Sequence, residues 1–357
     1  MFRRILISLS VFCCISTFAN AVHYIIDTDM GFDDWLAVAY LLKQPVVVDA
    51  ITIDCEGETL CPEGAVNAAR LTQLVGRHVP IAYGAINPKN AYNFPKSIRD
   101  FATNMAVPGF LNLPKNNDIT SISAAQTIFN AVINAAKTHT HVVIISVGTA
   151  ENSDDAWKLA IAQHQTALFR QGLAMIYKGG SAFGTLSHGR ITNKNIPGNI
   201  TIPTMIESDN TVAEWNIYAD APAMKDLIDA NLPITFIPNN ATDQVNMTKK
   251  SYLAFLEGAK PGSLRLFMAN AMDMMVKNQG TWETVARNLD FWDTATTVAA
   301  LDSNLVSKKI TDVPVELSLQ PGKNYAGIFV SPKSHHDVTV YYQLDKKLFY
   351  QVLMAGI

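Results

Sequence analysis

Four carboxylates lie within eight residues near the start of the chain, in segment 27–34 (DTDMGFDD). The first three residues of this segment are also the end of an apolar run, His23–Asp29, which is typical of a buried strand. Like charges this close repel each other, and the pKa of each carboxyl rises unless a cation compensates the charge. Hard cations such as Ca²⁺ and Mg²⁺ are bound by oxygen ligands of this kind. The segment therefore predicts a metal site, with Gly31 providing a sharp turn that lets its two halves face one point.

Helix capping is the alternative interpretation of these acids. Asp33 and Asp34 stand where a helix is expected to begin, and negative charge is favoured at a helix N-terminus. Capping accounts for these two acids but gives no role to Asp27 and Asp29, which are still on the strand. We therefore favour metal binding.

Two further acids, far along the chain, stand beside aromatic residues. Glu214 lies in AEWN and Asp293 lies in FWD. Each pattern alone is more typical of a core aromatic residue beside a surface acid. They become candidates for a site only as members of a larger set.

Strand and helix patterns alternate along the chain. Strands are predicted at His23–Asp29, Val46–Ile53, Val79–Tyr83, His141–Val147, Leu173–Tyr177 and Ile234–Ile237, and helices at Asp33–Gln44, Glu63–Arg77 and Ser121–Lys137. This alternation predicts an α/β fold: a single large domain with a mostly parallel central sheet flanked by helices. Such sheets bind ligands at the carboxyl ends of their strands, where segment 27–34 lies. The last third adds a helical stretch, Lys249–Asn278, and short strands within Val313–Tyr342, and Ser181–Ile196 has the composition of a polar surface loop.

Composition argues for a small ligand rather than a polymer. The chain has 357 residues, of which 48% are hydrophobic, and a formal net charge of −3. It contains no run of Lys and Arg of the kind that a nucleic-acid surface needs. A small, neutral substrate and no nucleic-acid partner are expected.

The N-terminus has the organisation of a secretory signal peptide. Two arginines precede an apolar run that ends in Ala19-Asn20-Ala21, a small-x-small cleavage pattern. We expect a signal peptide at 1–21, a mature domain at 22–357, no stable membrane anchor after cleavage, and a periplasmic or secreted protein. An N-terminal anchor or a buried strand is the alternative. Cys55 and Cys61 can pair in an oxidising compartment or stay as buried thiols, and their spacing leaves both open.

Several motifs, taken together and in order, resemble the inosine-uridine-preferring nucleoside hydrolases. They are IIDTDMGFDDWLAVAYLL, ISVGTAEN, PGN, VAEWNIYAD and FWD, and the likeness extends over about Tyr24–Leu353. The resemblance implies the Rossmann-like nucleoside hydrolase fold. It also implies calcium-dependent hydrolysis of the N-glycosidic bond of ribonucleosides, and a homo-oligomer.

The resemblance also implies roles for individual residues. It makes Asp29 the general base and, with Asp34, Asp293 and the backbone carbonyl of Val147, a calcium ligand. The residues expected around the sugar and behind the metal are Asp33 at the ribose 2′-hydroxyl, Asn216 at the 3′-hydroxyl, Asn199 and Glu214 near the 5′-hydroxyl, and Asp27 orienting the loop. Glu58 is a further candidate near the ribose and base, or else a plain loop glutamate.

The region expected to contact the base departs from part of the family. Trp292 stands where one branch has a histidine acid, which is similar to the purine-preferring inosine-adenosine-guanosine branch. That branch has a second tryptophan where this chain has Ile98, and Tyr83, Tyr92 or Phe94 are the candidate replacements. Lys178 stands where a methionine is common in the family. Three interpretations are open: it pairs with the acids, it points to solvent, or it marks a changed substrate.

Three other functions fit parts of the pattern. A nucleoside-binding periplasmic protein or a degenerate hydrolase would keep the fold without turnover. A phosphatase of the haloacid dehalogenase type would use Asp27 as the nucleophile with Mg²⁺, but Gly31 stands where that motif prefers Thr or Val.

Overall fold

A nine-stranded sheet forms the centre of the molecule in the computed structural model, which describes residues 21–85, 94–104, 107, 110, 112–114, 117–200 and 209–357. The strands are β1 Val22–Thr28, β2 Val47–Ile53, β3 Ile81–Tyr83, β4 His141–Ser146, β5 Leu173–Gly179, β6 Gly184–Ser187, β7 Arg190–Asn195, β8 Ile234–Ile237, β9 Val306–Leu317, β10 Ile328–Val330 and β11 Asp337–Leu344. The helices are α1 Asp34–Lys43, α2 Glu63–Val75, α3 Lys96–Thr103, α4 Ala124–Thr138, α5 Glu151–Ala162, α6 Thr166–Gly172, α7 Trp215–Ala219, α8 Ala221–Asp229, α9 Asn239–Thr242, α10 Lys249–Leu256, α11 Leu264–Gln279, α12 Trp282–Asn288, α13 Trp292–Leu301 and α14 Lys346–Ala355, with a 3-10 turn at Ser303–Leu305.

The sheet is mostly parallel, as the alternating pattern predicts. Its order is β10-β9-β11-β8-β5-β4-β1-β2-β3, and every neighbouring pair from β3 to β11 is parallel. Strands β9 and β10 join antiparallel at one edge. The chain builds outward from β1 to β3 and then returns to place β4 on the other side of β1. The carboxyl ends of β1 and β4 therefore form the switch point where ligands bind in open α/β sheets.

Two apolar layers cover the faces of the sheet. Ile25 and Ile26 are consecutive and fully buried in different core clusters, because successive side chains of a strand point to opposite faces. Helices α1, α2, α11, α13 and α14 pack in the layer with Ile26, and α4, α5 and α8 in the layer with Ile25. Burial on both faces explains why the central strands are continuous apolar runs.

Helix α1 is buried along almost its whole length, from Asp34 to Leu42. It packs beside α13, and the N-termini of these helices meet at the carboxyl edge of the sheet. The backbone N–H of Asp293, in the first turn of α13, donates to Asp33 Oδ2 at 2.8 Å. Thr294 Oγ1 donates to the backbone carbonyl of Asp33 at 3.3 Å. The fold thus joins the two ends of the acidic set.

Three local expectations were wrong in detail. Residues 181–196 include the hairpin of β6 and β7 rather than only a loop. The helical stretch from Lys249 is split into α10 and α11, because Gly258 and Gly262 adopt positive φ angles of 73° and 74° between them. The late strands begin at Val306 rather than Val313, and β9 is a 12-residue strand of the central sheet rather than a short one.

Within the described residues, none of the helices combines the length and the hydropathy that crossing a membrane requires.

Candidate active site

The acidic loop turns at Met30, not at Gly31 as the sequence suggested. Met30 has a φ of 53° and a fully buried side chain, and its carbonyl accepts Trp35 Nε1–H at 3.2 Å. Gly31 is needed for a different reason. A Cβ at this position would lie 2.5 Å from Glu58 Oε2 and 3.0 Å from Asp34 Oδ2. The glycine therefore allows the two carboxylates to approach over the backbone.

Three buried carboxylates from two distant parts of the chain converge beyond the end of β1. One carboxylate oxygen from each of Asp33, Asp34 and Asp293 lies within 4.8 Å of the other two. Asp33 occupies the N-cap position of α1 but makes no side-chain capping bond, Asp34 is the first residue of α1, and Asp293 lies in the first turn of α13. The hydroxyl of Thr28 donates to Asp34 Oδ1. These oxygens are donors that fit a hard divalent cation.

Asp29 adjoins this cluster through Asp34, with which its carboxyl group shares a hydrogen bond. Asp29 Oδ2 also accepts the backbone N–H of Glu58 at 2.7 Å. Its backbone carbonyl accepts both the N–H and the hydroxyl of Thr59, at 3.2 Å and 2.6 Å. Only 2% of Asp29 is exposed, so these contacts leave its carboxyl little freedom.

Burial raises the pKa of every carboxyl in the cluster, and mutual repulsion adds to the effect. The pKa of Asp34 rises to about 7 through burial and then the charge of Asp33. That of Asp33 rises to about 6, mainly through burial. For Asp29 and Asp293 the pKa lies well above its ordinary value, again through burial first and then the neighbouring acids. The protein thus gathers negative charge that protons or a cation must balance.

Asp27, near the end of β1, and Val147, directly after β4, support these acids from the sheet. Asp27 Oδ1 accepts Thr52 Oγ1–H at 2.7 Å and Asn152 Nδ2–H at 2.8 Å, and burial raises the pKa of Asp27 to about 7. The backbone N–H of Val147 donates to the carbonyl of Asp27 at 2.7 Å. Asn216 Nδ2 donates to the carbonyl of Val147 at 2.9 Å. Strand β4 and helix α7 are therefore tied to the end of β1.

Two buried side-chain oxygens near the ends of these strands have no hydrogen-bond partner among the described residues. They are Asp27 Oδ2 and Asn216 Oδ1. Buried polar atoms are almost always partnered, so an unsatisfied one indicates a place where a water, an ion or a polar ligand can bind. Together with the three carboxylates, these oxygens fit a site that is completed by a cation and a polar ligand.

Glu214 and Asn199 are organised around the start of α7. Glu214 caps the helix, and its carboxylate accepts the backbone N–H groups of Asn216 and Ile217 at 3.1 Å and 3.2 Å. Asn199 Oδ1 accepts the backbone N–H of Trp215 at 2.9 Å. The structure thus brings Asn199, Glu214 and Asn216 to one helix end, in contact with Val147.

The residues predicted to lie near the base occupy the more open side. Trp292 is partly exposed, and its Nε1–H donates to Asp243 Oδ1 at 2.8 Å, which sets the orientation of the indole. Glu58 is also partly exposed, and burial followed by the charges of Asp29 and Asp33 holds its pKa well above the ordinary value. Its contact with Gly31 places it beside the cluster and not in a remote loop.

The candidate replacements for a second stacking tryptophan are placed differently. Phe94 is 5% exposed and stacks on Trp215, with ring centroids 4.8 Å apart, so that face of its ring is occupied. Tyr83 and Ile98 are partly buried and pack against opposite core clusters. Tyr92 lies outside the described residues.

Sequence reasoning missed the supporting roles of Asn152 and Asp54. Asn152, which ends the ISVGTAEN motif, binds Asp27 directly. Asp54 follows β2, and its Oδ2 accepts the backbone N–H of Thr149 at 2.7 Å. Two features of the sequence could have indicated these roles: Asp54 directly follows a predicted strand, and Asn152 belongs to a motif that resembles the family. Lys178 does not point to solvent, because only 1% of it is exposed.

A disulfide closes the loop that holds Asp29. Cys55 and Cys61 are bonded, and the enclosed residues include Glu58 and Thr59, whose backbone groups bind Asp29. A Cβ at Gly57 would lie 2.1 Å from Asp29 Oδ2, so the loop backbone packs directly on the carboxylate. The loop therefore forms the side of the site that contacts the carboxylate of Asp29.

A buried carboxylate cluster at the switch point of an open α/β sheet can bind a metal ion and a small ligand side by side. The sequence model of the inosine-uridine preferring nucleoside hydrolases matches residues 24–351. The chain belongs to this family and is a hydrolase that acts on ribonucleosides. The family is metal-dependent, and Asp33, Asp34 and Asp293 form a cluster that can hold a metal ion. A comparison with curated proteins found no match.

Solved structures of nucleoside hydrolases share the fold. An inosine-uridine preferring nucleoside hydrolase from Bacillus anthracis is 16% identical, with a TM-score of 0.73 over 94% of this chain and 98% of its own. A purine-preferring ribonucleoside hydrolase from Gardnerella vaginalis is 21% identical, with a TM-score of 0.72 over 94% and 97%. A plant nucleoside hydrolase is 20% identical, with a TM-score of 0.70 over 94% and 98%. These likenesses cover nearly the whole chain.

The clustered acids predict an unusual pH dependence of stability without metal. The folded-state pKa values of Asp27, Asp33 and Asp34 are about 7, 6 and 7, above the ordinary value of an aspartate. At a pH between the ordinary pKa and the folded-state pKa, the folded protein therefore binds more protons than the unfolded chain. Their contribution to stability is therefore greatest at low pH and is lost as the pH rises through the folded pKa. In EDTA we expect Tm to fall by roughly 5 °C from about pH 5 to about pH 8. Asp34→Asn should flatten this fall, and a Tm that rises over the same range would contradict it.

The disulfide should be needed for turnover. Replacing both cysteines, Cys55→Ser with Cys61→Ser, frees the loop that binds Asp29, the predicted general base, and small displacements of such a group are costly. We expect kcat for inosine to fall about 10-fold or more at a temperature well below Tm. Dithiothreitol should lower the activity of the wild-type enzyme to a similar level and leave the double variant unchanged. Wild-type kcat in the double variant would rule out the positioning role.

Proposed function

We propose that this enzyme uses calcium to hydrolyse the N-glycosidic bond of ribonucleosides, preferring purine nucleosides, to give ribose and free base. The observation that carries the proposal is the convergence of Asp33 and Asp34 with Asp293, some 260 positions along the chain, at the carboxyl edge of the sheet. A metal and two sugar hydroxyls need a convergent set of oxygen groups, and the starts of α1 and α13 bring such a set together from distant parts of the chain.

Calcium is the metal that this donor set fits best. We assign Asp29, Asp34, Asp293 and the carbonyl of Val147 as its ligands, all of them oxygen donors on buried residues. Oxygen-only coordination is typical of hard cations, and calcium accepts irregular arrangements of carboxylates and backbone carbonyls more readily than magnesium does. Asp27, bonded to Thr52 and Asn152, then fixes the loop from behind.

Asp29 is the general base in this proposal. Bound calcium supplies positive charge that makes a nearby water easier to deprotonate. Asp29 accepts the proton of the attacking water, whose oxygen forms a bond to C1′ of the ribose. The C1′–N bond breaks and its electron pair leaves with the base, which takes a proton from solvent. The surrounding carboxylates stabilise the positive charge that develops on the sugar.

The remaining polar residues position the sugar. Asp33 is assigned to the 2′-hydroxyl, and the unpartnered Oδ1 of Asn216 makes it suited to accept the 3′-hydroxyl. Asn199 and Glu214, joined at the start of α7, are assigned to the 5′-hydroxyl. Glu58, beside Asp29 and Gly31, is assigned to the edge of the site between ribose and base.

Trp292 is the main support for a purine preference. Its indole is partly exposed and is oriented by Asp243, so one ring face can stack on a base. A larger purine ring gains more from stacking than a pyrimidine does. The Gardnerella vaginalis hydrolase of the same fold is described as purine-preferring, which agrees with this assignment.

We further propose that residues 1–21 are a cleaved signal peptide and that the mature domain, 22–357, acts in the periplasm or outside the cell. The charged start, apolar run and small-x-small end support cleavage. The disulfide between Cys55 and Cys61 agrees with an oxidising compartment. Mass spectrometry of the purified native protein, with Val22 as the expected first residue, tests the assignment.

Turnover and its metal requirement can be tested in one assay. The mature protein is incubated with inosine, adenosine, uridine and p-nitrophenyl phosphate, with and without EDTA. We expect ribose release from the nucleosides that EDTA abolishes and added calcium restores. Phosphate release would indicate a phosphatase, and saturable nucleoside binding without ribose would indicate a binding protein or a degenerate enzyme.

Two variants identify the base in the same assay. Asp29→Asn should lower kcat by about 100-fold or more, because it removes the proton acceptor, without lowering Tm, because it relieves repulsion. Asp273→Asn, in an ion pair with Lys277 on α11, is the matched control and should keep wild-type kcat. Near-wild-type turnover in Asp29→Asn would remove Asp29 as the base.

Stacking on Trp292 predicts a selective loss. In Trp292→Ala we expect kcat/KM for inosine and adenosine to fall about 10-fold more than that for uridine. Trp292→Phe retains an aromatic face and should keep most of the discrimination. Equal losses on purine and pyrimidine nucleosides in Trp292→Ala would exclude the stacking role.

A further inference from the structure

A lysine is buried beside the acidic site. Lys178 lies near the end of β5, beside β4, and only 1% of it is exposed. Its Nζ donates to the backbone carbonyls of Gly148 at 2.6 Å and Gly179 at 2.8 Å. An ammonium group has three N–H donors and is costly to bury unless charge or hydrogen bonds compensate it. The reaction proposed above gives it no role.

The two glycines that Lys178 binds lie directly against the acidic elements. A Cβ at Gly148 would be 2.9 Å from the backbone nitrogen of Asp29, so this part of the chain packs on the loop after β1. A Cβ at Gly179 would be 2.8 Å from Thr296 Oγ1 on α13, the helix that carries Asp293. The ammonium therefore sits between the two chain segments that supply the carboxylates.

The next residue extends the same connection to Glu214. Gly180 has a φ of 72°, and a Cβ there would lie 2.5 Å from Glu214 Oε2. Burial lowers the pKa of Lys178, and the charges of Glu214, Asp293, Asp27 and Asp29 act in the opposite direction and favour its protonated form. In return, the lysine lowers the pKa of Glu214 and Asp27 against the effect of burial.

We propose that Lys178 is a built-in counter-cation of the carboxylate cluster, which stabilises the metal-free site and lowers its affinity for calcium. The inference rests on the proposed function only for the identity of the metal. A fixed positive charge offsets part of the repulsion among the acids when no metal is bound. It also repels an arriving dication, and in a buried site this repulsion is only weakly screened. The enzyme would then respond to calcium over a higher concentration range than a site with methionine here.

The proposal is tested by calcium titration calorimetry of EDTA-stripped mature protein, together with Tm in EDTA and in excess calcium. In Lys178→Met we expect the calcium Kd to fall about 10-fold or more, because the opposing charge is gone. Tm in EDTA should fall below that of the wild type, and excess calcium should restore most of the difference. Lys277→Met, an exposed lysine on α11, is the control and should change neither quantity.

Two further variants separate charge from hydrogen bonding. Lys178→Gln keeps N–H donors for the glycine carbonyls but has no charge, whereas Lys178→Arg keeps the charge. A counter-cation predicts that Lys178→Gln resembles Lys178→Met and that Lys178→Arg resembles the wild type in Kd. A wild-type Kd in Lys178→Gln would overturn the proposal and leave Lys178 as a backbone clamp. These variants also decide the question if Lys178→Met does not fold.

The calorimetry distinguishes failure of this inference from failure of the proposed function. If neither the wild type nor any variant binds calcium, the proposed calcium enzyme is wrong, and the order of Tm values in EDTA alone decides the role of Lys178. If the wild type binds calcium and all the variants share its Kd, calcium stands and the counter-cation is wrong.

Discussion

Repulsion among buried carboxylates is the constraint around which this structure is organised. Asp29, Asp33, Asp34 and Asp293 are almost fully buried and close together, and their raised pKa values measure how poorly burial tolerates that charge. A fold can hold such groups together only by surrounding them with positive charge and hydrogen-bond donors. The elements around the switch point supply both.

Helix ends and loop amides provide the first part of this support. The N-termini of α1 and α13 meet at the cluster, so both helix dipoles favour the acids that begin them. Asp33 accepts the first-turn amide of the other helix, and Asp29 accepts an amide from the loop closed by Cys55 and Cys61. Catalytic geometry and electrostatic support therefore come from the same contacts.

Lys178 and the disulfide loop provide the second part of this support. Both act on Asp29. Lys178 acts through its charge and through Gly148, which packs on the backbone of Asp29, and the disulfide loop acts through Gly57, which packs on its carboxylate. The disulfide also depends on the redox compartment, and the counter-cation proposed at Lys178 changes how strongly the site binds a divalent cation. The site is thus adapted by residues that the reaction itself does not use.

The sequence alone determined the features that follow from local patterns. Alternating apolar periods located most of the sheet and the helices around it, and four acids after a strand end predicted the position of the site. Tertiary structure decided whatever depends on distant neighbours. It put Asp293 against Asp33, buried Lys178, paired the cysteines, and placed the turn at Met30 with Gly31 beneath Glu58. Burial, sulfur geometry and close backbone approach arise between segments far apart in sequence, so no local spacing encodes them.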